Sequence, residues 1–103
     1  MEHMTAETRR ALLTIRRCVN ADRFHLLPHF LQRMDERGMT WPDVLALIDA
    51  PAGIEADGCD DWARPRWIVT GEASDGLTIG LVCVIGRNDA GELTVFITLF
   101  WED

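Results

Sequence analysis

Lysine and tyrosine are absent from this 103-residue chain, and all ten of its basic residues are arginine. Without lysine there is no ε-amino group for Schiff-base or general acid–base chemistry; the cation left is a planar guanidinium that binds carboxylates and phosphates through paired N–H donors. Cysteine is scarce too. Cys18, Cys59 and Cys83 are odd in number and widely spaced, which excludes a disulfide framework and a CxxC metal site and fits a reducing cytoplasm. No apolar run approaches the ~20 residues of a membrane span, and the N-terminal segment lacks the apolar stretch of a secretory signal, so no membrane partner is expected. Met1-Glu2-His3-Met4 has the form of a remnant ahead of a start at Met4, which takes His3 out of the functional argument.

The formal net charge is −7. Residues 1–40 carry seven Arg against five acids, whereas residues 41–103 carry three Arg against twelve acids. A polyanion would have to approach the N-terminal part while the remaining surface repels it; this argues against DNA binding by the chain itself and for a small, oriented site. With 48% hydrophobic and 26% charged residues, the composition predicts one globular domain over residues 1–103.

Periodicity places helices first. From about residue 5 to 20, Ala11, Leu12, Ile15, Cys18 and Val19 share one side and Arg9, Arg10, Arg16 and Arg17 the other, an amphipathic helix with a basic face. Those four arginines are candidate RNA-binding residues, although a merely solvated face reads the same way. Asn20-Ala21-Asp22 marks a turn. Pro28 and Gly38 bracket a second helix with Phe30, Leu31 and Met34 available for the core. Thr40 and Asp43 open a third, with Val44, Leu47 and Ile48 inward. Residues 52–65 read as a Gly-, Asp- and Ala-rich loop; its Asp57, Asp60 and Asp61 lack the spacing of a calcium loop, so neither metal nor cofactor is expected.

Strand alternation follows in Trp67–Thr70, Leu77–Ile85 and Leu93–Trp101, separated by Ser74-Asp75-Gly76 and by Gly86–Gly91. The order predicts an α+β fold, with N-terminal helices packed on one face of a three-stranded, or slightly larger, antiparallel sheet. Trp41, Trp62, Trp67 and Trp101 are expected in the core or on a sheet face.

The densest chemistry lies in Pro28–Gly38, PHFLQRMDERG, where His29, Arg33 and Arg37 recur every four residues and share one helical face. Like charges at this spacing cost an isolated helix roughly 0.2–0.5 kcal/mol per pair. A phosphate would offset that cost, and so would Glu36 with the negative end of the helix.

His29, Arg33, Met34, Arg37, Gly38 and Met39, then Trp41-Pro42-Asp43-Val44, and finally Thr98-Leu99-Phe100 resemble the HxxxRMxxRGI motif and terminal TxY/TxF strand of a family of small bacterial domains of uncharacterised function. The likeness spans roughly residues 24–101, with the helix of residues 5–20 leading it, as in the MqsR-like members. Such domains look related to toxin ribonucleases of the RelE, BrnT and MqsR type. The resemblance implies a RelE/MqsR-like fold, metal-independent cleavage of mRNA and a cognate antitoxin as partner. Metal-independent cleavage needs proton carriers and fixed positive charge for the phosphorane. His29 can move the proton and Arg33 with Arg37 can hold the phosphate, while His25 and Thr98 are secondary candidates. Phe100 stands where a hydroxyl-bearing aromatic would be useful. The alternative is a non-catalytic module of the same fold whose HxxxRxxxR face docks an acidic partner or pairs with a second copy.

Overall fold

A computed structural model describes residues 5–102, so the opening segment with His3 lies outside the described residues. Helix α1 (Ala6–Asn20) begins at Thr5, whose side chain accepts the Thr8 N–H, and buries Ala11, Leu12, Ile15, Cys18 and Val19 as its periodicity predicts. The chain leaves α1 through Ala21 and Asp22, the latter left-handed at φ 59°. Strand β1 (Phe24–Leu26) follows, then helix α2 (Pro28–Arg37) with Pro28 in its first turn. Gly38 closes α2 at φ 72°, and the Met39 N–H reaches back to the Met34 carbonyl at 2.9 Å, the closing bond of a Schellman-type turn. Helix α3 (Trp41–Asp49) starts in a reciprocal capping box: Thr40 and Asp43 each accept the other's backbone N–H.

Four more strands complete the chain: β2 (Gly53–Cys59), β3 (Pro65–Glu72), β4 (Thr78–Asn88) and β5 (Gly91–Glu102). The sheet order is β1-β5-β4-β3-β2, antiparallel throughout except for the parallel β1–β5 pair. The expected three-stranded meander is therefore the centre of a five-stranded mixed sheet. Two corrections account for the difference. The presumed loop of residues 52–65 contains β2, an edge strand whose Gly, Asp and Ala residues need little apolar alternation because neither side is well buried. β1 is too short, at three residues, for any period to register.

All three helices share one core with one face of the sheet. Ile15, Phe30, Met34, Val44 and Leu47 pack with Trp67, Val69, Ile79, Leu81, Phe96 and Leu99. A register shift between Val82 and Cys83 leaves Ile97 as an extra residue in β5, so Phe96 and Leu99, three apart, both face the helices. Phe24 stacks on Trp41 with ring centroids 4.7 Å apart, and both meet Phe96 edge-on, fastening β1 and α3 to the sheet. Leu31 and Trp62 depart from expectation: Leu31 is 48% exposed on the outer side of α2, and Trp62 is 76% exposed in the β2–β3 turn. The opposite sheet face, where the register places Ile68, Val82, Val84, Leu93, Val95 and Phe100, has no helix against it.

Candidate functional site

The site is built where β1 runs out. Leu27 donates the last ladder bond to the Phe96 carbonyl at 3.1 Å, and Pro28, which has no N–H, turns the chain into α2. Beyond that point the outer edge of β5 has no strand partner among the described residues. Arg33 serves it instead: its Nε donates to the Leu99 carbonyl at 3.1 Å, a charge-assisted bond that occupies a group the sheet leaves open.

Both arginines of α2 lie over one indole. The Arg33 guanidinium carbon is 4.5 Å from the Trp101 ring centroid and that of Arg37 is 5.8 Å from it. The aromatic floor disperses the mutual repulsion of two cations one turn apart. Carboxylates complete the neutralisation: Arg33 Nη1 meets Glu36 at 3.2 Å, and Arg37 Nη2 meets Asp75 of the β3–β4 turn at 2.5 Å. Hydrogen bonds from the Arg37 guanidinium and from the Leu77 N–H hold the Asp75 carboxyl below its usual range. Arg37 is the deeper of the two, with 16% of its side chain exposed, and its Nε is buried with no partner among the described residues. Beside it opens a cavity of about 320 Å³ between the α2–α3 junction and the β3–β4 turn, lined by Met39, Leu47 and Ala73 together with Asp43 and Asp75.

The contacts of Leu27 with Phe96, Arg33 with Leu99 and Arg37 with Trp101 show α2 running parallel to β5 along its outer margin. By that register His29, exposed one turn before Arg33, lies alongside the Ile97–Thr98 bulge. His25 is also exposed, but its partner Val95 assigns it to the helix-free face, and Thr98, opposite Val82, belongs to that face as well. The α2 row of His29, Arg33 and Arg37 thus lies on the helical side of β5, and His25 and Thr98 lie on the opposite face of the sheet.

The arginines of α1 lie elsewhere, and two of the four are held by other groups. Arg16 donates to the carbonyls of Ile48 and Asp49 at 3.0 and 2.9 Å, capping the negative end of α3. Arg17 pairs with Glu92 at 3.1 Å. Arg9 and Arg10 are exposed and have no side-chain bond among the described residues. Sequence reasoning did not assign site roles to Trp101 or Asp75; the alternation of β5 offered the first as a sheet residue, and nothing local marks the second.

Among the described residues no three His, Cys, Asp or Glu side chains come together as a metal site, and no helix is long and apolar enough to cross a membrane. Cys83 is sealed in the core, where burial pushes its thiol up to about 12 and so away from the reactive thiolate. No family model matches the chain, nor does any curated protein or solved structure.

Proposed function

We propose that the α2–β5 margin is the active site of a toxin-like ribonuclease of the mRNA-interferase type, cleaving RNA without a metal. The observation that carries this reading is the exposed imidazole of His29 one helical turn before Arg33 and two before Arg37, the two guanidinium groups that share the Trp101 ring. In the reaction the 2′-oxygen of the RNA attacks the adjacent phosphorus as His29 takes its proton, the bond from phosphorus to the 5′-oxygen breaks, and the leaving oxygen is protonated by water. The products are a 2′,3′-cyclic phosphate and a free 5′-hydroxyl. Arg33 and Arg37 stabilise the charge that gathers on the phosphorane oxygens.

Such a phosphate must compete with Glu36 and Asp75 for the guanidiniums. At the more exposed Arg33 the exchange costs little, because ion pairs at the surface contribute only about 0–1 kcal/mol. Arg33 Nη2 and Arg37 Nη1 have no partner among the described residues and supply further donors. The HxxxRMxxRG motif, similar to that of small domains related to RelE, BrnT and MqsR toxins, supports the same reading and implies a cognate antitoxin that covers this margin in the cytoplasm. The acidic second half of the chain confines RNA to the margin by repelling it elsewhere.

A second reading, a non-catalytic module that docks an acidic partner, is favoured by one feature: each guanidinium already faces a carboxylate. Induced expression in a bacterial host separates the two. The ribonuclease reading expects growth arrest with fragmented total RNA from the wild type and neither from His29→Ala, whose exposed position leaves the fold intact. Healthy growth with intact RNA from soluble wild-type protein would overturn it in favour of docking.

A further inference from the structure

We propose that the helix-free face of the sheet is the surface on which two copies of this chain pair, sheet against sheet, with the Glu72–Glu102 end of one copy on the Arg64–Arg66 end of the other. A strand covered on one face alternates apolar and polar residues; one covered on both reads as a continuous apolar run. β4 reads Ile79-Gly80-Leu81-Val82-Cys83-Val84-Ile85 and β5 Val95-Phe96-Ile97-Thr98-Leu99-Phe100-Trp101, yet helices cover only one of their faces. On the other face Val82 and Val84 are screened by their neighbours, while Ile68, Val95 and Phe100 remain half-exposed. Phe100 lies flat across the sheet because Gly80 beneath it has no side chain; a Cβ there would stand 2.3 Å from the Phe100 ring.

The two ends of this face differ in charge, and the difference makes it self-complementary. Glu72, Thr78 and Glu102 stand in one row across β3, β4 and β5, and neither glutamate has an ion pair among the described residues. At the far end, Arg66 faces outward beside Val84, and Arg64 spreads over the sheet, with its Nη1 2.9 Å from where a Gly86 Cβ would stand. Arg64 holds the Asp60 carboxylate through Nε, and Arg66 holds Asp57 through Nη2 to its carboxylate and Nε to its carbonyl, which leaves both Nη groups of Arg64 and Nη1 of Arg66 for a partner. Trp62 carries the Arg64 guanidinium 5.4 Å from its ring centroid and projects into solvent, the aromatic–arginine pairing enriched at interface anchors. Between the two ends the face of β3, β4 and β5 carries no charged residue.

A two-fold axis lying in the interface and crossing the strands sets acidic end on basic end twice over, as an isologous contact requires. Three strands at ~4.8 Å and about eight residues at ~3.3 Å give a face of roughly 380 Å² before side-chain relief, to which Trp62 adds; this is below the ~800 Å² per partner of a standard interface, so the paired charges at the two ends carry much of the contact. This surface is distinct from the arginine margin of α2, and its test does not depend on RNA cleavage.

Sedimentation of the purified chain should give twice the 11.7 kDa of one copy at micromolar concentrations and above. Trp62→Ala and the double charge reversal Glu72→Arg/Glu102→Arg should each weaken the dimer about tenfold or more without changing the circular dichroism spectrum. Mixing the double reversal with Arg66→Glu should restore pairing between the two variants. A monomer at every concentration would overturn the proposal, as would a dimer whose strength none of these substitutions moves.

Discussion

Helices α1 and α2 both present a row of arginines beside an apolar stripe, and only what lies beneath the rows tells them apart. Under α2 are an open strand edge and an indole, so Arg33 and Arg37 are drawn onto one ring, with an exposed imidazole one turn before Arg33. Beneath α1 lies ordinary core; its arginines disperse to a helix end, a surface glutamate and solvent. Charge spacing identifies a face, whereas the ground under that face decides whether the charges converge.

Removing the ground should therefore break the contrast most severely. Trp101→Ala, which deletes the floor of both guanidiniums and a half-buried aromatic, should lower the unfolding free energy by about 2–3 kcal/mol in urea titrations. The exposed Trp62→Ala should cost no more than about 0.5 kcal/mol in a monomer. Next comes the edge itself. Arg33→Ala should cost about 1.5–2 kcal/mol by stripping the Leu99 carbonyl of its charged donor, against about 0.5 kcal/mol or less for Arg9→Ala. A loss at Arg9 as large as that at Arg33 would erase the distinction between the two rows.

Arg16 sharpens the comparison from the α1 side. Its guanidinium caps α3, so Arg16→Ala should destabilise by about 1 kcal/mol and leave RNA affinity unchanged. The smallest effect is one of pH. Because hydrogen bonds from Arg37 and Leu77 hold Asp75 below its ordinary 3.8, the fold favours the ionised carboxylate. Its contribution is complete above that value and disappears as pH falls through the lower native one, so the acid limb of a stability profile should be shallower in Asp75→Asn than in the wild type.

Much of this fold was legible along the chain. Pro28, Gly38 and the Thr40–Asp43 pair each mark a helix end through one local interaction, and the buried stripe of α1 follows its period. The two edge strands were not legible, since β1 has three residues and β2 has no dry side to enforce alternation. Leu31 looked like core because its spacing from Phe30 and Met34 suits either side of a narrow stripe. In the site, the periodic row of His29, Arg33 and Arg37 could be read from spacing alone. Its supports could not: a backbone carbonyl, a terminal-strand tryptophan and a turn aspartate reach α2 only through tertiary structure.

The most direct test of the account is incubation of the purified chain with a single-stranded RNA in the presence of a metal chelator, wild type beside His29→Ala. Wild-type protein should cleave the RNA to 2′,3′-cyclic phosphate ends, and the variant should do so more slowly by roughly 10²–10⁴-fold. Cleavage by His29→Ala at the wild-type rate, or intact RNA with both proteins, would contradict it.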